Sequence, residues 1–143
     1  MRIVLDTNVV ASGLLWDGPP AALIDAARAG KIELFTSRAL LAELTRILRR
    51  AKFARPITVS GASLEELVLG YSEIATEIVP ASISAAVPAD PDDAMVLASA
   101  LAARADMIVS GDSDLLNLKS YQGMPIIAAT EALARVTKAG AGG

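Results

Sequence analysis

Five short apolar runs punctuate the chain, with amphipathic stretches between them. Residues 2–6 form the first, Arg2 leading Ile3, Val4 and Leu5 into the acid Asp6. A run that is apolar without alternation is the pattern of a strand buried on both faces of a parallel sheet. Residues 32–36, 77–79, 106–110 and 124–128 give the other candidate strands, and Pro125 suits an edge or a strand start. The intervening stretches read as helices. Pro19 and Pro20 open one that stops at Gly30, the usual proline-start and glycine-stop asymmetry. Over residues 37–52, Leu40, Leu41, Leu44, Ile47 and Leu48 share one helical face. Ser63 and Glu66 have capping-box spacing ahead of Leu64, Leu67, Val68 and Tyr71. Asp90 begins an alanine-rich helix to about Arg104, and Thr130 caps a last one to about Lys138. Strands alternating with helices predict one α/β domain, a three-layer α/β/α arrangement around a mainly parallel sheet of about four to five strands. The domain is expected over residues 1–138, with 139–143 as a flexible tail.

Composition narrows the chemistry. The 143 residues include no cysteine and no histidine. Thiol nucleophiles, disulfides, imidazole bases and the common zinc sites are therefore excluded, leaving carboxylates, hydroxyls, amines or an oxygen-bound metal. Alanine supplies 28 residues and aromatics only 3%, which favours closely packed helices. A net charge of −3 gives no global attraction for nucleic acid, so any such contact needs a local basic patch. With no apolar run of bilayer length and no leader-like start, a soluble cytoplasmic protein without a membrane partner is the expectation.

The acids fall in informative places. In an open parallel sheet, ligands bind beyond the carboxyl ends of the strands, where strand order reverses. Asp6 and Asp112 each follow a candidate strand, and polar residues come next, Thr7 and Asn8 in one case, Ser113 and Asp114 in the other. Either acid alone is also ordinary turn or cap chemistry. Glu43 flanks the buried face of its helix with Arg46 and Arg50 on the same flank, where a simple helix ion pair would suffice. Asp93 aligns with the apolar stripe of Val96, Leu97, Ala100 and Leu101, where an uncompensated charge is costly. Asp90 as N-cap and Pro91 as first helical residue explain one acid there but not three. Carboxylates from four separate segments, brought to one end of a sheet, would need a cation. An all-oxygen ligand set selects Mg²⁺ or Mn²⁺, and a pair of such ions supports phosphodiester hydrolysis without histidine.

At these residues the chain resembles PIN-domain proteins of the VapC-like toxin kind. The resemblance covers nearly the whole chain. It rests on Leu5, Asp6, Thr7 and Asn8, on Glu43, on Asp93 followed by Ala94, Met95, Val96, Leu97 and Ala98, and on Val109 to Leu115 around Asp112. The acids at 90, 92 and 93 resemble one branch of PIN-family toxins more than the commonest VapC form. What the resemblance implies is an Mg²⁺- or Mn²⁺-dependent endoribonuclease, the toxin of a type II toxin–antitoxin pair. Asp6, Glu43, Asp93 and Asp112 would be its metal-binding and catalytic acids, with Asp114 a fifth ligand. Thr7, Asn8 and Ser110 would be polar groups orienting them. A homodimer and a cognate antitoxin that blocks the site are further implications. Arg46, Arg49, Arg50, Lys52 and Arg55 form the densest basic stretch, suited to RNA phosphates, with Phe53 among them to stack a base. The same stretch would equally be a solvated helix end, or a receiver for an acidic antitoxin segment.

Two other readings remain open at this level. A catalytically silent PIN-like binding or scaffold module would usually have lost an acid. A HAD-like phosphohydrolase would want a second aspartate where Asn8 stands.

Overall fold

A computed structural model of the chain describes residues 1–83 and 90–142. Six strands form one sheet: β1 (Arg2–Leu5), β2 (Glu33–Thr36), β3 (Thr76–Glu77), β4 (Met107–Val109), β5 (Ser120–Tyr121) and β6 (Met124–Ile127). Their order is β3-β2-β1-β4-β6-β5, and every pairing is parallel except β5 with β6. The chain builds outward from β1 through β2 to β3, then returns to place β4 on the other side of β1. Strand order therefore reverses between β1 and β4, and a crevice opens at their carboxyl ends.

Successive strand residues point to opposite faces, and both faces are dry. Ile3, Leu5, Leu34, Met107, Val109 and Ile127 feed one core; Val4, Phe35, Ile108 and Ile126 feed the other. The first core is covered by α1 (Thr7–Leu15), α2 (Pro19–Arg28), α4 (Ala51–Ser60), α5 (Leu64–Ile74) and α8 (Ala129–Gly142). The second is covered by α6 (Pro91–Ala103) and the short α7 (Ser113–Leu116). Helix α3 (Arg38–Leu48) serves both, with Leu44, Ile47 and Leu48 in the first core and Leu40 in the second. This is the expected three-layer architecture.

Several local expectations need correction. The sheet has six strands rather than four to five, because Gln122 and Gly123, both at positive φ, turn β5 back onto β6. Strand β3 stops at Glu77, with only the Ile78 N–H still bonding Thr36 O, and Val79 is 86% exposed. Helix α1 was not anticipated from the sequence. The helix expected to run to Lys52 ends at Leu48, since Arg50 takes extended backbone and starts α4. That turn swings Phe53 back into the core. Helix α8 continues to Gly142 where the expectation stopped near Lys138, and Gly143 lies outside the described residues.

Candidate active site

Strands β1 and β4 hydrogen-bond as neighbours, with Leu5 in register with Val109, so the residues after them emerge side by side. Asp6 follows β1 and is 4% exposed; its backbone N–H donates to Val109 O at 2.8 Å. Ser110 follows β4, fully buried, and its hydroxyl donates to Asp6 Oδ2 at 2.8 Å. The same Ser110 Oγ accepts the Asp112 N–H at 3.0 Å. One serine thus ties the two strand ends together. Asp112 is the N-cap of α7, and its Oδ1 accepts the Asp114 N–H at 2.9 Å, the turn chemistry that the local sequence suggests.

Helix α6 brings the third acid from the second face. Asp90 caps it by accepting the Asp92 N–H at 2.8 Å, and Pro91 is its first residue. Asp93 is then carried inward on the apolar stripe to 6% exposure. Its Oδ2 is buried without a hydrogen-bond partner among the described residues, and its carboxyl faces that of Asp112. Carboxylate oxygens of Asp93, Asp112 and Asp114 lie within 4.8 Å of one another. Helix α3 supplies the fourth acid: Glu43 lies beside the Thr7 hydroxyl, which donates to Asp6 Oδ1 at 3.4 Å. Buried serines fix α3 against α6, where Ser99 Oγ donates to Ser37 Oγ at 3.1 Å and Ser37 caps α3 through the Leu40 N–H.

The electrostatics fit a site awaiting positive charge. Burial holds the Asp6 and Glu43 carboxyls above the ordinary range. The Asp6 carboxylate makes no capping bond to α1, but the Ser110 hydroxyl and the nearby Thr7 and Asn8 N–H groups oppose that rise. Asp93 is pushed up to about 7, first by burial and then by the charges of Asp112 and Asp90. Asp92 and Asp6 add repulsion at Glu43, while Arg46 relieves it. Like charges this close, all on oxygen donors, fit a hard divalent cation. The orphaned Asp93 oxygen is the clearest sign, since an unpaired buried carboxylate oxygen is costly without a ligand. Asp93, Asp112 and Asp114 have the spacing to share such an ion, with Asp6 and Glu43 beside them.

The remaining candidates are placed less uniformly. Asn8 is exposed and makes no side-chain bond to these acids; it lines a cavity of about 460 Å³ with Ser12, Pro20, Ser110, Asp112 and Ala129. Arg46 is held at the rim by Asp92 at 3.5 Å, an ion pair between α3 and α6. Arg49, Arg50 and Lys52 are exposed at the corner between α3 and α4. Phe53 is only 3% exposed and packed against Trp16, so it offers no face to a base; that expectation is overturned. A larger groove of about 950 Å³ between α2 and α8 is lined mostly by apolar side chains such as Ala26, Leu133 and Val136, and none of the four acids reaches it.

A mainly parallel α/β/α domain thus gathers carboxylates at its switch point, in a cluster that could bind a metal ion. Residues 2–114 match the PIN domain, and the chain belongs to that family. PIN domains are typically metal-dependent nucleases, which implies a nucleic-acid substrate. No curated protein matches the chain. Among the described residues, no helix is long and apolar enough to cross a membrane.

Proposed function

We propose that this PIN domain is an Mg²⁺- or Mn²⁺-dependent endoribonuclease with Asp6, Glu43, Asp93 and Asp112 as its working acids. The observation that carries the reading is the buried, partnerless Asp93 Oδ2 within a cluster of acids at the β1–β4 switch point. A divalent cation held there would neutralise phosphate charge and make a bound water a better nucleophile. The chain's own groups do the rest. Ser110 and Thr7 hold the Asp6 carboxylate in one orientation. Glu43, with a raised carboxyl pKa and the Thr7 hydroxyl beside it, is suited to accept a proton from attacking water. Asp112 and Asp114 complete the oxygen donors on the open side. Asn8 reaches the neighbouring cavity, where it would contact the substrate rather than the acids.

The toxin role, a cognate antitoxin and a homodimer belong to the same proposal and rest on the resemblance of the motifs. The test is cleavage of a mixed RNA panel with Mn²⁺, Mg²⁺ or EDTA, alongside Asp6→Asn and Asp93→Asn. Metal-dependent cutting lost in both variants supports the reading. No cutting, together with no Mn²⁺ binding by calorimetry, overturns it and favours a silent binding module. Growth arrest on expression of the wild type but not of Asp6→Asn tests the toxin role, and sedimentation tests the dimer.

A further inference from the structure

Helix α1 and the α3–α4 pair lie side by side, and two contacts mark the ends of their seam. At one end Thr7 meets Glu43 in the acidic centre. At the other, Trp16 packs on Phe53 with ring centroids 5.6 Å apart and planes at 42°. The two ends are nine residues apart on the α1 side, about 14 Å at about 1.5 Å per residue. That spans about four stacked nucleotides at about 3.4 Å each, or fewer if the strand is drawn out.

Trp16 is the only tryptophan, and 47% of its surface is exposed although its neighbour Phe53 is buried. Lys52 sits on the same ring, its Nζ 5.0 Å from the Phe53 centroid, so indole and ammonium flank one aromatic anchor. Arg49, Arg50, Lys52 and Arg55 are all exposed within seven residues, and none forms an ion pair among the described residues. Local helix chemistry does not account for all of them. Arg49 follows the last turn of α3, where the dipole favours a cation, but Arg50 and Lys52 stand at the start of α4, where it does not. No acid occupies that first turn to compensate. Asp17 is exposed next to Trp16, and its single charge is outnumbered. An uncovered aromatic beside unpaired cations, in a chain of net charge −3, is complementary to a flexible polyanion carrying planar bases.

We propose that Trp16 is a base-stacking platform for single-stranded RNA that leaves the carboxylate centre along the α1–α3 seam, its phosphates neutralised by Arg49, Arg50, Lys52 and Arg55. The proposal rests on the ribonuclease reading for its substrate class. A protein partner is the competing occupant of the same surface. Phe53 anchors the platform from below and Trp16 presents the free face.

Because Trp16 is the sole tryptophan, its own fluorescence reports the contact. Wild-type protein in EDTA is titrated with an oligouridylate 12-mer, while anisotropy of a labelled copy reports binding independently. Stacking predicts quenching that saturates with the anisotropy signal and is reversed by salt. Trp16→Leu should weaken binding about 5- to 150-fold, while Trp16→Phe, which keeps both a ring and the packing on Phe53, should recover most of the loss. Binding without quenching, or equal affinity in Trp16→Leu, overturns the proposal and leaves the face to a protein partner. No binding at all overturns it too.

Hydrolysis of bis(p-nitrophenyl) phosphate with Mn²⁺ separates this from the ribonuclease reading. That small diester is too short to reach Trp16, so its turnover by wild type, lost in Asp93→Asn, tests the acidic centre without the platform. Wild-type turnover of it without quenching by RNA sinks the platform alone. Quenching without turnover of either substrate sinks the nuclease and leaves RNA binding standing.

Discussion

Ser110 Oγ donates to Asp6 Oδ2 at 2.8 Å, joining residues 104 positions apart in sequence. The bond exists because β1 and β4 are hydrogen-bonded neighbours whose chains diverge just beyond it, one into α1 and the other towards α7. Both groups are buried, so neither can exchange its partner for water without opening the sheet end.

Ser110→Ala should therefore fold but loosen the site. Asp6 loses its hydroxyl donor and Asp112 loses the acceptor of its N–H. Removal of a group that orients a metal-binding carboxylate typically costs about 10- to 100-fold in metal affinity or activity. Stability should fall by about 1.5–3 kcal/mol, the range for a hydrogen bond to a charged group. Calorimetric titration with Mn²⁺ beside a thermal melt separates the two effects. Unchanged Mn²⁺ affinity would show that Asp6 needs no help from Ser110.

Much of this site could be read from local pattern, for identifiable reasons. Asp6 ends a fully apolar run, and Asp93 falls at three and four residues before Val96 and Leu97, so strand end and buried helix face are both visible in sequence. Helix α1 was hidden because its nine residues include β-branched Thr7, Val9 and Val10 together with Gly13. That glycine is there for packing: a Cβ on it would lie 2.7 Å from Ile24 Cδ1 and 2.9 Å from the Pro20 carbonyl. The break between α3 and α4 carries no glycine or proline, and Pro56 lies inside α4 instead, so periodicity ran straight through Arg49 and Arg50. The same break carries Phe53 into the core. The Arg46–Asp92 and Glu43–Thr7 contacts join separate elements, which no local pattern encodes.

The basic corner should show itself in salt dependence. Each phosphate neutralised on a single strand contributes a slope of about −0.7 to log K against log salt. Arg50→Gln or Lys52→Gln should each reduce the slope of RNA binding by about 0.7, since neither cation has a carboxylate partner among the described residues. Arg46→Gln should change it less, because Asp92 already holds that guanidinium at 3.5 Å. The exposed Arg46–Asp92 pair is worth about 0–1 kcal/mol, so all three variants should melt close to wild type. Equal slopes in all four proteins would remove the corner from the RNA interface.

Tyr71 offers a test of the core that is independent of the site. Its ring is 2% exposed in the first core, and its hydroxyl has no hydrogen-bond partner among the described residues. Burial drives the phenol pKa upward, so the group stays neutral throughout the working range. Tyr71→Phe removes an unsatisfied hydroxyl without changing the packing of the ring. It should be neutral or stabilising by about 1 kcal/mol in denaturant unfolding. A loss of 1 kcal/mol or more would reveal a partner for that hydroxyl in solution.

Asp93 makes the stability of the metal-free protein depend on pH with an unusual sign. Its carboxyl pKa is raised from 3.8 to about 7 in the folded state. The folded chain therefore holds this proton more tightly than the unfolded chain does. The resulting stabilisation is fully present below about pH 4 and is lost as pH rises through 7. In EDTA, wild type should lose stability between pH 5 and pH 8 relative to Asp93→Asn, whose side chain carries no charge at either pH. At pH 8 the variant should be the more stable by about 1–3 kcal/mol, the usual cost of an unsatisfied buried polar group. Mn²⁺ should reverse the order, because a cation stabilises the ionised acids. At a hundred times its Kd it adds about 2.7 kcal/mol to any chain that binds it, and Asp93→Asn has lost a ligand. Parallel pH curves for the two proteins in EDTA would mean that another acid holds the proton. A crossover on adding Mn²⁺ would identify Asp93 as the group at which proton and metal compete.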